Sequence, residues 1–506
     1  MSARRFAGVT IGAAPIGLDE VVTIARDGAA VALAPQARTR ITAARRVVER
    51  LAQGPDAIYG VNSALGANTG RRLAGDDLVD YQVRAVRARA VGVGPSYSRA
   101  SVRAMLAARI AGMAAGGSGV SPVVLDGVIE LLNRGVHPVV PRFGSIGAAD
   151  LPQLSHLALP LLGEGHAEYR GEILPGAEAL ARAGLEPVQL GPKDGLSLIS
   201  ANAATVGRAA LVLHDARVLF DAWLDAVALS YEGFRANVSA LDARALALRA
   251  GTREMEVAAA LRGRLAHGHL AGDARRVQDP LSFRVVTQVH GAGHWMLDEA
   301  VRLTELELNS AADSPVVLAD EDAMLSNGNF HTAALALALD ALAIACAQMA
   351  SLAVGRITRF MAPALTDLPL QLTRHGPAHS GFATLQKTAT ALLAETRQLA
   401  NPGSLDFLPV SEGIEDHAPM TLGVVEKLAR LLVRVRYLVA IEHVIAAQAI
   451  DLRGLAPDAL GDGARTAYAA VRATVARLDE DRPLGPDVER VAGLLDARLT
   501  GLGEAS

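Results

Sequence analysis

Cysteine and lysine are scarce in this chain of 506 residues, and neither sign of charge dominates it. The single cysteine, Cys346, excludes an intramolecular disulfide and a thiolate metal cluster. The 49 basic and 53 acidic residues leave a net charge of −4, so no electrostatic footprint indicates nucleic acid or an anionic membrane as a partner. We therefore expect small molecules and further copies of the chain as partners. A lone thiol fits a reducing cytoplasm.

The sequence lacks the usual signs of export and membrane insertion. Its N-terminus has basic residues but no apolar stretch that ends in a small-residue cleavage site. The most membrane-like run, 332–354, is interrupted by Asp340 and Gln348, and its flanks carry no asymmetry of basic residues. This run predicts a buried helix rather than a membrane span, in a protein of the cytoplasm.

Several common catalytic signatures are also missing. The chain has no Walker loop, no glycine fingerprint of a dinucleotide site and no Gly-x-Ser-x-Gly elbow. The sequence therefore carries none of the usual motifs for phosphoryl transfer, hydride transfer or serine hydrolysis. No internal repeat is detectable, which argues against a solenoid or a propeller.

Long helices are the dominant pattern that the chain does contain. Apolar residues recur three and four positions apart over 100–115, 202–229, 285–308, 332–360, 381–400 and 421–450. Runs of β-branched residues are short and occur at 31–33, 171–174 and 314–318. The sequence predicts a mainly α fold, with an N-terminal active-site domain at 1–200 and an α-helical bundle domain at 201–506.

Lysine usage gives a first functional candidate. Only three of the 49 basic residues are lysines, namely Lys193, Lys387 and Lys427. Where a chain uses arginine by default, a lysine is a candidate for a role that needs an adjustable pKa. Lys387 lies in a predicted helix and is our candidate proton donor, and an ordinary solvated lysine is an equal alternative.

Two further stretches combine residues suited to chemistry. The segment 411–417 places three carboxylates and an imidazole within seven residues, although such clusters are mostly solvated loops. Between Gln278 and Arg284, a proline precedes a predicted helix whose first turn carries an arginine, an arrangement that suits a ligand carboxylate. A surface salt bridge of this arginine is an equal alternative. His290 and His294 have the spacing of zinc ligands, but no glutamate follows His290, so we favour core histidines there.

Seven short motifs follow one another along the chain. They are Tyr59-Gly-Val-Asn62, Val91-Gly-Val-Gly94, Gly144-Ser-Ile-Gly147 with Asp150-Leu151, Gly195-Leu-Ser-Leu198, Gln278-Asp-Pro280 through Arg284, Gly328-Asn-Phe-His331 and Glu415-Asp-His417. Each is a weak signal alone. In this order, and over 56–446, they resemble the aromatic amino acid lyase family, which includes the histidine and phenylalanine ammonia-lyases.

The resemblance implies a fold, an assembly and several residue roles. The fold is that of histidine and phenylalanine ammonia-lyases, with a long central helical bundle and a smaller mixed N-terminal part. The assembly is a homotetramer in which three chains build each active site. Tyr59 would be the base that removes the β-proton, and Arg284 would hold the substrate carboxylate. The remaining pocket positions are matched by Asn62, Gln278, Phe330 and Glu415.

The chain departs from this family at the residues that make its prosthetic group. Family ammonia-lyases cyclise an internal Ala-Ser-Gly, ordinarily followed by Asp-Leu, into an electrophilic methylidene-imidazolone. Here the stretch reads Gly147-Ala148-Ala149-Asp150-Leu151, without the serine that dehydrates and the glycine that closes the ring. We therefore expect no cofactor, and nothing in the sequence implies a metal.

Three other positions also differ from the family. Ser200-Ala201-Asn202 replaces an Asn-Gly-Thr, so Ser200 is a candidate substrate-binding residue. Arg89 stands where histidine ammonia-lyases carry a substrate-reading histidine, and Lys387 occupies a position that is usually uncharged.

The missing electrophile has a chemical consequence. Its task is to capture the substrate amine through the nitrogen lone pair, whereas a quaternary ammonium has no lone pair and leaves directly as a neutral amine. The departure therefore indicates a betaine substrate. The chain is similar to the ergothionase branch of the family, for which ergothioneine is the substrate and thiourocanate and trimethylamine are the products.

This hypothesis gives roles to the unusual residues. Lys387, coupled to Glu415 or Glu412, would protonate or hydrogen-bond the imidazole-thione so that the ring accepts the developing charge. Arg89 would face the sulfur, and Phe330, together with the tyrosine base, would offer an aromatic face to the trimethylammonium.

Three alternatives stay open. The first is a conventional ammonia-lyase or aminomutase, and the second is a lyase of another betaine or of a substrate with a distal acidic group. The third is a catalytically silent paralogue. The presence of both Tyr59 and Arg284 argues against the third, because a binding scaffold has no evident need for a base opposite a carboxylate clamp.

Overall fold

The computed structural model describes residues 8–55, 58, 60–63, 76–249, 251 and 253–496, and helices dominate them. The helices are α1 (Leu18–Ala25), α2 (Pro35–Gln53), α3 (Asp76–Arg87), α4 (Arg99–Ala114), α5 (Pro122–Arg134), α6 (Leu151–Ala158), α7 (Gly176–Ala183), α8 (Asp194–Ile199), α9 (Ala203–Phe234), α10 (Ala243–Leu246), α11 (Glu254–Arg264), α12 (Leu281–Arg284), α13 (Val286–Leu308), α14 (Ala333–Phe360), α15 (Pro363–Thr366), α16 (Leu385–Leu399), α17 (Thr421–Arg453), α18 (Asp462–Thr474) and α19 (Gly485–Asp496). The six segments with helical periodicity correspond to α4, α9, α13, α14, α16 and α17, so the mainly α prediction is confirmed.

The strands are short and form small separate sheets. They are β1 (Val9–Ile11), β2 (Val31–Leu33), β3 (Val93–Ser96), β4 (Val136–Pro138), β5 (Pro141–Phe143), β6 (His166–Tyr169), β7 (Glu172–Pro175), β8 (Val316–Leu318) and β9 (Ala323–Leu325). β1 and β2 pair in parallel, whereas the pairs β3–β5, β4–β6, β6–β7 and β8–β9 are antiparallel. The three predicted β-branched runs coincide with β2, β7 and β8.

Local sequence signals set the ends of the helices. Ser98 caps α4, because its side chain accepts a hydrogen bond from the backbone N of Ser101. α5 begins at Pro122 and is followed by Gly135, whose φ of 72° is the left-handed conformation that commonly ends a helix.

The chain divides into two compact units, each assembled from three separate segments. The first unit comprises Met1–His214, Ala300–Ala338 and Pro402–Glu426. The second comprises Asp215–Glu299, Leu339–Asn401 and Lys427–Ser506. The predicted domains, 1–200 and 201–506, are each one continuous range, whereas each compact unit is built from three segments. The assignment of the active site to the first of these ranges stays a prediction.

Two helical stretches are long and apolar enough to cross a membrane by length and composition. They are Asp194–Phe234 and Ala333–Phe360, and their most apolar windows are 100% and 61% buried within the protein. Core helices of soluble proteins share both properties. We interpret the two stretches as core helices, in agreement with the sequence-based expectation for 332–354.

Aromatic side chains form a compact cluster in the core of the second unit. The rings of Phe234 and Phe283 stack with centroids 4.1 Å apart, and Phe360 meets Phe234 edge to face at 5.8 Å. Such pairs add to the stabilisation that burial of apolar area provides. The cluster fixes the short helix α12, which carries Phe283 and Arg284.

Candidate active site

A glycine-rich loop at Gly144–Leu151 is the centre of the candidate site in the first unit. Gly147 has φ 79°, and a Cβ added to it would lie 2.5 Å from the backbone N of Thr421. The backbone N of Met420 donates to the carbonyl of Ile146 at 2.9 Å. Only glycine permits both this φ and this close backbone approach, so the sequence motif has a structural reason here.

Asp150 holds this loop in place through hydrogen bonds of its side chain. Its carboxylate is fully buried and accepts hydrogen bonds from Ser145 Oγ at 2.7 Å, Thr205 N at 2.7 Å and Thr205 Oγ1 at 2.9 Å. Burial raises the pKa of this carboxyl, and the hydrogen bonds from Thr205 and Ser145 oppose the rise. The carboxylate is therefore used to fix the loop to the first turn of α9.

Asn202 connects the loop to the segment that carries Phe330. Its Oδ1 accepts from the backbone N of Ala149 at 3.1 Å, and its Nδ2 donates to the carbonyl of Phe330 at 2.6 Å. Phe330 is half-buried at this position. The replacement of the family's Asn-Gly-Thr thus supplies an amide that joins two of the quoted motifs.

Two histidines meet beside the same loop. His331 Nε2 and His417 Nδ1 are 2.9 Å apart, and the ring centroids are 5.0 Å apart. The backbone of His331 also forms an antiparallel bridge with Ala148. Burial, followed by the neighbouring His417, lowers the pKa of His331, which favours a neutral ring in this pair.

The residues of the loop do not fit the prosthetic group that the family resemblance implies. A methylidene-imidazolone needs a serine followed by glycine, and the loop's serine, Ser145, is followed by Ile146. Its Oγ is bonded to Asp150, while the backbone N of Asp150 donates to the carbonyl of Ala201 at 2.8 Å. The loop is therefore closed by hydrogen bonds between residues that cannot form the ring.

Asn62 lies in a buried turn, whereas the expected base Tyr59 falls outside the described residues. Asn62 Oδ1 accepts from the backbone N of Ile58 at 2.6 Å. Gln82 of α3 donates to the carbonyl of Gly60 at 3.4 Å and accepts from the backbone N of Gly195 at 2.9 Å. This one buried amide therefore holds the Asn62 turn beside α3 and α8.

Arg89 and Ser200 follow the two helices that Gln82 connects. Arg89 comes just after α3, is partly buried, and donates from Nη1 to the carbonyl of Ala85 at 3.1 Å. Ser200 ends α8 as a buried residue, and its backbone N donates to the carbonyl of Leu196 at 2.8 Å. Arg89 and Ser200 thus lie at the ends of the two helices that Gln82 connects with the Asn62 turn in the first unit.

Glu412 and Glu415 lie in a tight turn. The backbone N of Val410 donates to the carbonyl of Glu415 at 3.0 Å, and Ser411 Oγ donates to Glu415 Oε2 at 3.0 Å. Glu412 is exposed with φ 53°, while Glu415 is partly buried. The turn therefore orients the two carboxylates differently, and Glu415 is the one held by a side-chain hydrogen bond.

Arg284, the residue expected to hold the substrate carboxylate, lies in the second unit beside Gln278. Arg284 Nη1 donates to Gln278 Oε1 at 2.6 Å, and both side chains are exposed. The backbone before Arg284 is fixed by two donors: Arg356 Nη1 bonds the carbonyl of Ser282 at 2.9 Å, and Tyr231 OH bonds the carbonyl of Phe283 at 2.6 Å. Arg284 is thus an exposed cation that follows a firmly held stretch of backbone.

Arg356 itself belongs to a buried ion pair. Its Nε and Nη2 donate to the two carboxylate oxygens of Glu442 at 2.5 and 3.0 Å, and both side chains are fully buried. Ser230 Oγ donates to Glu442 Oε1 at 2.7 Å. The bidentate geometry offsets the cost of burying both charges.

The three lysines have different surroundings. Lys193 is fully buried and donates from Nζ to the carbonyl of Ser118 at 2.5 Å, and burial lowers its pKa to about 8. Lys427 Nζ donates to Asp340 Oδ1 at 2.5 Å. Lys387 is exposed in the first turn of α16, in the second unit. Two lysines are thus structural, and the catalytic role of Lys387 and its coupling to a glutamate stay predictions.

His290 and His294 are core histidines, as the sequence favoured. The ring of His290 packs edge to face against Trp223, and that of His294 against Phe220, each with centroids 5.3 Å apart. Burial lowers the pKa of both rings. Asn202 and Gln82 are two residues of the candidate site that no sequence pattern indicated as such: Asn202 lies in a replaced motif, whereas Gln82 lies in none of the quoted motifs.

The chain matches known sequences over almost its whole length. The model of the family described as aromatic amino acid lyase matches residues 16–473. A histidine ammonia-lyase from Symbiobacterium thermophilum is 40% identical over 486 residues, which cover 95% of each chain.

Solved structures show the same fold. A crystal structure of ergothionase from Treponema denticola, in complex with desmethyl-ergothioneine sulfonic acid, superposes with a TM-score of 0.93 at 31% identity and covers 97% of this chain and 99% of that one. Histidine ammonia-lyase from Trypanosoma cruzi gives a TM-score of 0.89 at 29% identity, with 98% and 95% covered. The expected histidine and phenylalanine ammonia-lyase fold is thereby confirmed.

Proposed function

The chain belongs to the aromatic amino acid lyase family, and within it we propose an ergothionase, a lyase that releases trimethylamine from ergothioneine or a related aromatic betaine without a prosthetic group. One observation carries the proposal. The loop that would make the family's electrophile has Ala148 and Ala149 before Asp150, and its remaining serine is bonded to Asp150. A substrate that needs no electrophile fits such a loop.

The proposed reaction is a β-elimination. Tyr59 removes the proton from the β-carbon, the electrons of that C–H bond form the new C=C bond, and the Cα–N bond breaks. The nitrogen leaves with the bonding pair as neutral trimethylamine, and thiourocanate is the other product. The proton resides on the phenol until solvent removes it, so atoms and charge balance without an oxidant or a reductant.

The carboxylate of the substrate would bind Arg284. A guanidinium offers a two-pronged donor to a carboxylate, and Gln278 orients it through the 2.6 Å hydrogen bond. The two fixed carbonyls of Ser282 and Phe283 limit the movement of the helix that carries it. A held carboxylate positions the adjacent Cα–N bond for elimination.

The remaining site residues would act on the ring and on the leaving group. Lys387 with Glu415 or Glu412 would stabilise negative charge that develops on the imidazole-thione, and Arg89 would face its sulfur. The partly buried ring of Phe330 suits the methyl groups of the leaving ammonium.

We further propose that the enzyme works as a homotetramer in the cytoplasm, with each site drawn from three chains. The exposed positions of Lys387, Gln278 and Arg284 support this assembly, because they leave those side chains available to another subunit. Membranes and nucleic acids have no part in the proposal.

A histidine ammonia-lyase is the second candidate, and one finding favours it: the 40% identity to such an enzyme over 95% of the chain. It requires an electrophile from some other source within the chain. The intact mass of the protein distinguishes the two candidates, because forming a methylidene-imidazolone removes water from the polypeptide.

The direct test is incubation of the purified protein with ergothioneine and, in parallel, with L-histidine. We expect trimethylamine and a conjugated ultraviolet-absorbing acid from the first substrate, and no ammonia from the second. The intact mass should equal the sequence mass. Ammonia release from histidine, or a mass deficit of one or two waters, would replace this proposal with the ammonia-lyase.

The role of Lys387 has its own test. Lys387→Met should abolish turnover, since a thioether neither donates a proton nor carries charge. The matched control is Arg397→Met, which removes an exposed cation from the same helix and should leave turnover unchanged. If Lys387→Met keeps a near-normal rate while the unaltered protein forms trimethylamine, the proposed role of Lys387 is wrong. The proposed elimination reaction would still stand.

A further inference from the structure

Two histidines and a glutamate converge in the second unit, outside every residue assigned to the lyase site. His375 and His379 lie in the loop before α16, and Glu480 lies in the segment between α18 and α19. One ligand atom from each of the three residues lies within 4.8 Å of the other two. The two imidazole rings are 4.5 Å apart and inclined by 32°.

Two of the three separations between the nearby donor atoms are close to those around a metal ion, and the third is a hydrogen-bond distance. His379 Nε2 is 2.9 Å from Glu480 Oε2, His375 Nε2 is 3.6 Å from Glu480 Oε1, and His375 Nε2 is 3.8 Å from Asp479 Oδ1. Ligands at about 2.0–2.2 Å in a tetrahedral sphere are roughly 3.3–3.6 Å apart. The two distances from His375 are longer than a hydrogen bond, and they are close to the spacing expected between two ligands of one metal ion.

A ring nitrogen without a hydrogen-bond partner adds a second observation. Among the described residues, His375 Nε2 is a buried atom that makes no hydrogen bond, although two carboxylates face it. A buried polar atom without a partner costs free energy unless something binds it. A cation between the nitrogen and the carboxylates would satisfy all of them.

The backbone around the cluster is held by a carboxylate that is not a ligand. Asp481 accepts from the backbone N of Ser380 at 2.7 Å and from that of Gly381 at 2.9 Å. Since Asp481 directly follows Glu480, it fixes the glutamate beside the two histidines without taking part itself.

Other histidine–carboxylate contacts in the second unit differ from this cluster. His267 Nδ1 meets Asp462 alone, at 2.8 Å, and its side chain is 82% exposed. His269 has a carboxylate at each ring nitrogen, with Glu232 at 2.8 Å and Asp273 at 3.1 Å. Neither arrangement brings two imidazoles to one point.

We propose that His375, His379 and Glu480 bind one divalent transition-metal ion, of the kind that two imidazoles and a carboxylate select, such as Zn²⁺. Asp479 or water completes the coordination. The ion ties the loop before α16 to the segment before α19 and takes no part in the elimination. The site is distinct from the lyase chemistry and does not depend on it.

The test is a titration of tag-free, chelator-treated protein with Zn²⁺ alone and with Co²⁺ alone. We expect one saturable equivalent per chain by calorimetry and a rise in the melting temperature with metal. The Co²⁺ form should show d–d absorption, and X-ray absorption should give nitrogen and oxygen neighbours at about 2.0–2.2 Å.

Matched variants locate the binding. His375→Ala and His379→Ala should each weaken binding by more than about tenfold and remove the metal-dependent rise in melting temperature. His267→Ala removes a more exposed histidine paired with one carboxylate and should bind like the unaltered protein. Circular dichroism of the metal-free forms establishes that all three variants are folded.

Two outcomes overturn the proposal. The first is the absence of a saturable equivalent in the unaltered protein, and the second is binding that persists unchanged in both His375→Ala and His379→Ala. A test by Glu480→Gln adds a readout of geometry, because the amide keeps the size but loses the charge. Retained Co²⁺ absorption in that variant would show that the carboxylate is not a ligand.

Discussion

Gly147 illustrates how a single residue sets the geometry of the loop at Gly144–Leu151. Its positive φ alone would cost a side chain on the order of 1 kcal/mol. The approach of the Thr421 backbone, 2.5 Å from where a Cβ would lie, adds a clash with atoms that cannot rotate away. The two effects can be separated, because Gly171 has a similar φ of 92° with nothing within 4 Å.

We therefore predict that Gly147→Ala abolishes turnover and lowers the free energy of unfolding by more than Gly171→Ala does. The control should lose only about 1 kcal/mol and retain its activity. Urea unfolding and the trimethylamine assay measure the two effects. Equal stabilities for the two variants would show that the loop can move away from Thr421.

Glu307 gives a prediction about pH. It lies beside a cavity of about 10 Å³ that Asn202 also lines, and burial raises its pKa to about 7. Because the folded pKa lies above the unfolded value of about 4.3, the protonated form is the stabilising one. The contribution of protonated Glu307 to the free energy of unfolding is fully present below about pH 4, and it is lost as the pH rises through about 7.

Glu307→Gln should therefore stabilise the protein by about 1–2 kcal/mol at pH 8 and leave its stability unchanged near pH 4. The measurement is the urea midpoint as a function of pH. Glu321→Gln, at an exposed position, is the control and should give parallel curves. A gain that is equal at both pH values would exclude titration of Glu307 as its cause.

Sequence reasoning at the residue scale succeeded where partners lie close together in the chain. Gln278 and Arg284 are six positions apart in one quoted motif, and the structure joins them by a hydrogen bond. Gln82 joins Gly60 and Gly195, which are 22 and 113 positions away, so no local pattern indicated its role. The binding of a substrate carboxylate by Arg284 stays a prediction.

At the scale of elements, long helices were the most predictable feature. Segments of 15 to 33 residues, such as α16 and α17, repeat the apolar period often enough to be found. Three-residue strands such as β1 and β9 contain too few positions for an alternation to appear. Their existence depends on pairing with distant residues, which a linear pattern does not encode.

The buried pair of Arg356 and Glu442 gives a prediction about elements, because it joins α14 to α17 within the second unit. Glu442→Ala leaves a buried guanidinium without its counter-ion and should cost about 3–5 kcal/mol. The double variant Arg356→Met with Glu442→Leu should recover most of that loss. Urea unfolding with a double-mutant cycle gives the coupling energy.

The more accessible pair of Arg434 and Glu395, with side chains 29% and 52% exposed, is the matched control, since it joins α16 to α17 in the same unit with a 2.9 Å contact. Glu395→Ala should change stability by less than about 1 kcal/mol. A loss of similar size in Glu442→Ala and Glu395→Ala would contradict the importance of burial.

At the scale of the whole molecule, an exposed apolar segment indicates association. Leu405, Leu408 and Ile414 are 76%, 80% and 72% exposed, and they flank the turn that carries Glu412. Apolar groups this close together and this exposed usually mark a contact surface. The proposed homotetramer would cover them.

We predict a tetramer by light scattering, and a smaller species for the variant with both Leu405→Asp and Leu408→Asp. That variant should also lose turnover, because its sites lack residues from other chains. Circular dichroism should be unchanged. A tetramer that persists in this variant would show that the segment lies outside the interface.

The interleaved composition of the two compact units has a consequence for synthesis on the ribosome. The first unit lacks its third segment, Pro402–Glu426, until translation has passed residue 401. That segment delivers Glu415 and His417, so a nascent chain lacks these two residues of the candidate site for most of its elongation. Chaperone demand and sensitivity to premature termination should therefore be high along nearly the entire reading frame.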